Sequence, residues 1–240
     1  MDFYKSRTSF LNQFAKLFTF YDIDLPTVVR QPPFLPWMIN ANHGYSSYSE
    51  NGRGYDFFKY VAKFTKHFDL SVICSNKTFT PEHALRFEFV SKLKGVLGER
   101  LHWYGNGVNP ISDKFGGITP YRYHLAIENK FQPDILSEKV FDPFLGLSFP
   151  IYAGATNLSD YFPTKSFVPI DITNFDEAFG IIVQTIDDDL YTKNYEPLLE
   201  AKRLVLDERN PFKRYAKIAR DCYTQGQEEL VSISRCEGTY

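Results

Sequence analysis

The residues with the clearest chemical potential lie in the run 123–139, YHLAIENKFQPDILSEK. Tyr123, Leu125 and Ile127 alternate with His124 and Ala126, the period-2 pattern of a half-buried strand. The strand gives way at Glu128 and Asn129 to a polar loop with Pro133 and Asp134. Ser137 then opens a helix with Glu138 and Lys139 in its first turn. A serine there accepts from the unpaired N–H groups of the helix start. Strand end, polar loop and helix start together make the place where open α/β sheets hold ligands. The free N–H groups and the helix dipole attract phosphate, and Lys139 adds a full positive charge. Such a unit occurs in every α/β protein, so these features alone leave plain helix-start chemistry open as the reading.

The elements that must position this run are legible on both sides of it. Residues 70–74 read as a strand ending at Ser75 and Asn76. Thr80 and Pro81 begin a helix whose buried stripe is Leu85, Phe89 and Leu93. Arg86 is expected beside that stripe, where the pattern makes it a surface arginine paired with Glu82 or Glu88. Residues 101–104 form a strand ending in Gly105-Asn106-Gly107, either a tight turn or a point where backbone approaches a ligand. A short helix over 113–118 precedes the central strand. Strands over 149–153 and 166–170 follow, with a helical turn over 156–161 between them. Asn174 and Glu177 begin a helix over 175–186 with a capping-box pattern. Alternating strands and helices predict a parallel, Rossmann-like α/β sheet.

The flanks are less patterned. Residues 17–21 read as a strand and 31–37, QPPFLPW, as extended chain. Residues 39–54 read as a polar surface loop and 55–67 as a short helix. Residues 196–210 and 211–223 read as helices, with a weakly patterned tail after them.

At 240 residues the chain is long enough for one or two domains. A net charge of −2 argues against nucleic acid, whose binders carry a basic excess, and against an anionic membrane as the main partner. No apolar run approaches a transmembrane span, and no secretory signal opens the chain, so a cytoplasmic protein is expected, with peripheral membrane contact left open. The cysteines, at 74, 222 and 236, are widely spaced, which favours a reducing compartment. The histidines show no ligand spacing, and there is no Cys-x-x-Cys, P-loop or G-x-G-x-x-G; no metal or cofactor is expected.

The run E-N-x-x-x-P-D-x-x-S-E-K over 128–139, the apolar helix after it, PIYAGATNLSDYFP over 150–163 and SFVPIDITNFDEAFGII over 166–182 resemble the donor-binding motif of glycosyltransferase family 10, the α-1,3/α-1,4-fucosyltransferases, and are most like its bacterial members. The resemblance covers residues 69–186, and 10–40 more weakly. It implies a GT-B type enzyme, with residues 69–186 as a Rossmann-like nucleotide-sugar domain. Residues 1–68 would form a partial acceptor-side lobe and linker, and 187–240 helices packing back on that lobe. It implies inverting transfer of fucose from GDP-fucose to a glycan hydroxyl, of lipopolysaccharide or N-acetyllactosamine type. Arg86 would contact the donor diphosphate, with Lys139 and the N–H groups near Ser137. Glu138 would accept from ribose hydroxyls, Asn129 would contact the donor, and Ser75 and Asn76 match the first motif of the donor lobe. Gly105 and Glu128 are weaker candidates.

Two departures stand against the pattern. Ile135 sits where the family carries a tyrosine near the nucleoside, which alters base or ribose recognition. The family's general-base glutamate lies upstream of the segment matching residues 10–18; here only nine residues precede Phe10 and none is Glu. Glu50 and Asp22 are substitutes without motif support, so no catalytic residue is named. A nucleotide-sugar-binding homologue without turnover stands as the alternative, and an unrelated α/β binding domain as a third.

Overall fold

The computed structural model describes residues 7–40 and 53–225. Five parallel strands form the main sheet: β3 (Phe68–Ile73), β4 (Leu101–Tyr104), β5 (Tyr121–Ile127), β6 (Phe149–Ala153) and β7 (Val168–Pro169), in the order β4-β3-β5-β6-β7. Near the N-terminus, helix α1 (Thr8–Leu11) precedes a separate parallel pair, β1 (Leu17–Thr19) and β2 (Val28–Arg30). The Rossmann-like reading therefore holds.

The order matters for the site. The chain leaves β3 for β4 on one side, then returns to β3's other side with β5. Right-handed crossovers send α3 (Pro81–Leu97) and α5 (Glu138–Leu145) to opposite faces, so a crevice opens between the carboxyl ends of β3 and β5. Helix α6 (Phe175–Asp187) joins α3 on its face through Phe175 and Phe89, whose ring centroids lie 5.6 Å apart. Helix α8 (Tyr195–Asp207) packs against α5 on the other.

The half-buried expectation for β5 is corrected by this layering. His124 and Ala126 are as buried as Tyr123, Leu125 and Ile127, because helices cover both faces of a central parallel strand. The buried His124 is satisfied by Ser71 Oγ at 2.8 Å, and burial holds it neutral by lowering its pKa to about 3.

Two other local expectations change. Helix α2 covers only Tyr55–Tyr60, not the whole of 55–67. Val61 is extended, and its carbonyl and that of Ala62 are taken by Lys202 Nζ and Tyr195 Oη of α8, so the helical ladder has no call on them. Residues 39 and 40, placed at the start of a surface loop, are buried: both main-chain N–H groups bond to carboxylates, Ile39 to Asp142 and Asn40 to Asp113. After the short helix α7 (Leu190–Lys193), α8 and α9 (Pro211–Gln225) run back towards the N-terminal segment. Arg214 of α9 donates to the carbonyls of Pro32 and Pro33 and lies over Phe34, which stacks on Tyr215. Tyr55 donates to Asp207 at 2.9 Å. No helix among the described residues is long and apolar enough to cross a membrane.

Candidate functional site

A cavity of about 550 Å³ occupies the crevice at the carboxyl ends of β3 and β5. Ser75 and Lys77 follow β3, and Phe79 stands at the approach to α3. Thr80 caps that helix by accepting from the His83 N–H at 3.3 Å, and Pro81 takes the first helical position. His83 and Arg86, one turn apart, then line the cavity.

Arg86 is not beside the buried stripe but in it. The buried positions of α3 are Arg86, Phe89, Val90, Leu93 and Leu97, a continuous 3.6-period line, while Leu85 is only half buried. Arg86 is 6% exposed and pairs with neither Glu82 nor Glu88. One nitrogen, Nη1, donates to Asn129 Oδ1, Nε has no partner, and no carboxylate ion-pairs with it among the described residues. A buried cation without a counter-charge is costly, and here it borders an open cavity.

The opposite wall comes from β5 and α5. Asn129, Glu138 and Lys139 line it. Ser137 caps α5, accepting from Lys139 N–H at 3.3 Å, while its own N–H and hydroxyl donate to Glu128 at 2.9 Å and 2.6–2.8 Å. The expectation of free N–H groups near Ser137 is corrected at two positions: Glu128, a buried carboxylate, takes the Ser137 N–H, and the Ser137 hydroxyl takes that of Lys139. Burial pushes the Glu128 carboxyl up, against the pull of Lys139 and the Ser137 bonds. Lys139 Nζ lies 3.2 Å from Glu138 Oε1 and 3.7 Å from Glu128 Oε2.

Arg86, Asn129, Glu138 and Lys139 thus meet at one cavity, joined by Ser75 and Gly105. Ser137, Glu128, Asn76 and Ile135 do not line it. Glu128 and Ser137 stand behind the wall as the cap of α5. Asn76 donates its N–H to the Asn106 carbonyl, and the Ile135 carbonyl accepts from Tyr152 Oη. Gly105 is set by main-chain packing: at φ 145° a Cβ would lie 2.3 Å from the Cys74 oxygen. Asp22 is exposed and outside the cavity wall; Glu50 lies outside the described residues.

Sequence reasoning missed Lys114 and Asp142. Lys114, the first residue of α4 (Lys114–Ile118), is 8% exposed and reaches Asp142 at 2.9 Å and Glu138 at 3.5 Å. Asp142 also accepts the N–H groups of Met38 and Ile39, at 2.7 and 2.8 Å, which fixes the near wall of Leu35, Pro36 and Met38. An acidic residue among Val140, Phe141, Phe144 and Leu145 was the available signal for Asp142; nothing local marks Lys114. Burial would raise the Glu138 carboxyl, but Lys114 and Lys139 outweigh it and bring it down to about 2. Burial would likewise lower Lys114, and Asp142 and Glu138 reverse that. With Lys77, Arg86, Lys114 and Lys139 against Glu138 and Asp142, the lining carries a cationic excess. Its shape, a crevice at the switch point with cations on both sides, suits an anionic ligand.

The fold has solved counterparts. The chain superposes on "Crystal Structure of alpha1,3-Fucosyltransferase with GDP-fucose" with a TM-score of 0.53 at 19% identity, covering 80% of this chain and 70% of that one. For "Crystal Structure of alpha1,3-Fucosyltransferase with GDP" the score is 0.53 at 18%, covering 80% and 69%. The class is therefore an α/β fold of the GT-B glycosyltransferase type. The family model described as "Glycosyltransferase family 10 (fucosyltransferase) C-term" matches residues 63–196, more than half the chain. The protein belongs to glycosyltransferase family 10, the fucosyltransferases. It is 26% identical over 114 residues to human 4-galactosyl-N-acetylglucosaminide 3-alpha-L-fucosyltransferase 9, covering 45% of this chain and 31% of that protein. It is 33% identical over 73 residues to Alpha-(1,3)-fucosyltransferase FucT of Helicobacter pylori, covering 30% and 15%. The matched stretch thus spans about a third or less of these curated relatives.

Proposed function

We propose that the cavity holds GDP-fucose and that the protein serves inverting transfer of its fucosyl group to a hydroxyl of a glycan acceptor, of lipopolysaccharide or N-acetyllactosamine type. The observation that carries the reading is Arg86: a residue 6% exposed, with no carboxylate partner among the described residues and with Nε unpaired, lining the same cavity as Lys139. Two solved neighbours are named for complexes with GDP-fucose and with GDP, which supports the choice of donor.

In this reading the acceptor hydroxyl oxygen attacks the anomeric carbon from the face opposite the diphosphate, and its proton is released to water as the new bond forms. The bond from that carbon to the phosphate oxygen breaks, and GDP leaves with the electron pair. Charge grows on the departing diphosphate, and fixed cations that meet it lower the barrier. Arg86 can hold two oxygens in a fork, and Lys139 supplies a point charge from the other wall. Two such cations do the work that a metal does in other transferases, so none is required. Asn129, already bonded to Arg86, orients the guanidinium and meets the donor. Glu138, held at about 2 by its lysines, is too weak a base to take the acceptor proton and is suited to accept hydrogen bonds from ribose hydroxyls. Cys74 and Cys222 are both unbridged, which suits a cytoplasmic site of action.

Calorimetry with GDP, followed by transfer assays with GDP-fucose and acceptors of both types, tests the proposal. Binding followed by transfer supports it. GDP binding with no turnover of GDP-fucose would leave a nucleotide-sugar binder, and no GDP binding at millimolar concentration would remove the donor site.

A further inference from the structure

Glu138 and Asp142 stand four residues apart on one face of α5, a spacing at which like charges repel. The structure resolves the conflict with a cation from another element. Lys114 lies between them, 3.5 Å from Glu138 Oε1 and 2.9 Å from Asp142 Oδ2. Asp142 is spent: its other oxygen accepts the N–H groups of Met38 and Ile39. Glu138 is only half spent. Lys114 and Lys139 both bear on Oε1, so Oε2 has no side-chain partner among the described residues. Glu138 lines the cavity and Lys114 is 8% exposed, so its ammonium is set by the wall and not by solvent.

We propose that Lys114 is a positioning residue for sugar-diol recognition: by fixing Oε1 of Glu138 it presents Oε2 to the adjacent hydroxyls of a nucleoside ribose. The inference rests on the donor reading above. A ribose diol offers two O–H donors side by side, and an ionised carboxylate oxygen held in place is the matching acceptor. Without Lys114 the Glu138 side chain is steered by Lys139 alone, from the adjacent residue on the helix. The bland alternative is that Lys114 only neutralises two carboxylates and has no part in recognition.

The two are separated by a ratio of affinities. Calorimetry with GDP, 2′,3′-dideoxy-GDP and inorganic pyrophosphate is expected to show wild-type protein preferring GDP over the dideoxy compound by about 10- to 100-fold, the scale of a hydrogen bond to a charged group. In Lys114→Met that preference is expected to fall to about threefold or less. Losing a cation weakens every anion alike, so the ratio is the readout and not the absolute affinity. Because Lys114→Met leaves Asp142 unpaired, the double variant Lys114→Met/Asp142→Asn is measured beside it; asparagine keeps an oxygen for the Met38 and Ile39 N–H groups without the charge. Full preference for GDP in both variants would overturn the role of Lys114 while leaving the diphosphate site intact. Equal binding of GDP and dideoxy-GDP by wild-type protein would also overturn it. Failure of wild-type protein to bind either GDP or pyrophosphate would bring down the donor reading and this inference with it.

Discussion

Replacing Arg86 with methionine separates a ligand-binding cation from a structural one. Methionine keeps much of the length and apolar stem and removes only the charge and its donors. A guanidinium has five N–H donors; in this structure one is given to Asn129 and Nε has none to give to. If the remaining donors meet a diphosphate, the loss is about 1.5–3 kcal/mol, the range for hydrogen bonds to charged groups, or about 10- to 150-fold in Kd. The unliganded protein should respond in the opposite sense. Burying a charge without a counter-charge costs several kcal/mol, which offsets the lost Asn129 bond, itself worth about 1.5–3 kcal/mol because its donor is charged. Arg86→Met should therefore melt at the wild-type temperature or above it. Titration calorimetry with GDP and with pyrophosphate reads the first effect, and both ligands should weaken together; scanning calorimetry without ligand reads the second. A wild-type Kd for GDP, or a melting temperature several degrees lower, would refute the argument, since either means the arginine serves the fold and not an anion.

Glu138 should mark the acid limb of stability. Its carboxyl is depressed from 4.5 to about 2, so its contribution is complete above pH 4.5 and is lost as pH falls towards 2, up to about 3 kcal/mol at 1.4 kcal/mol per unit. Glu138→Gln should thus melt below wild type at neutral pH, and the gap should close between pH 4.5 and 2; a constant gap would disprove the pairing with Lys114 and Lys139. Gly105→Ala should cost about 2 kcal/mol or more, because φ is 145° and the new Cβ meets the Cys74 carbonyl, a clash that main chain cannot relieve; an unchanged melting temperature would contradict it. Asp134 accepts from Arg30 at 2.9 Å, Asn157 at 2.8 Å and Tyr161 at 2.5 Å; Asn157 keeps Asp160 and Arg30 is half exposed, so Asp134→Ala should cost about 1–3 kcal/mol by denaturant unfolding, and no loss would contradict the role of Asp134.

The sheet was readable because its signals are local. Strand alternation, the Thr80-Pro81 and Ser137 caps and the Asn174–Glu177 pair each act within a few residues, and each sits where expected. Arg86 was misplaced by the same locality. Charge type argued for solvent, and only the facing end of β5, 43 residues away in sequence, supplies the acceptor that makes burial tolerable. The α2 helix was overrun for a similar reason: apolar spacing continued past Tyr60, but the carbonyls there answer to side chains of α8. Lys114 was invisible because its partners, Glu138 and Asp142, come from a helix beyond the next strand. The polar residues easiest to place were those that work on their own neighbours, and the hardest were those that bind elements together.

The paired N–H bonds from Met38 and Ile39 to Asp142 have a mechanical meaning. The stretch of chain forming the near wall is bolted to the same helix that carries Glu138 and Lys139, through a carboxylate that is 1% exposed. Swinging that wall outward would strip two donors from a buried anion at once, so the wall and α5 must travel as one piece. Phe79, 81% exposed, and Lys77 line the same cavity from the β3 side and take no part in that tether.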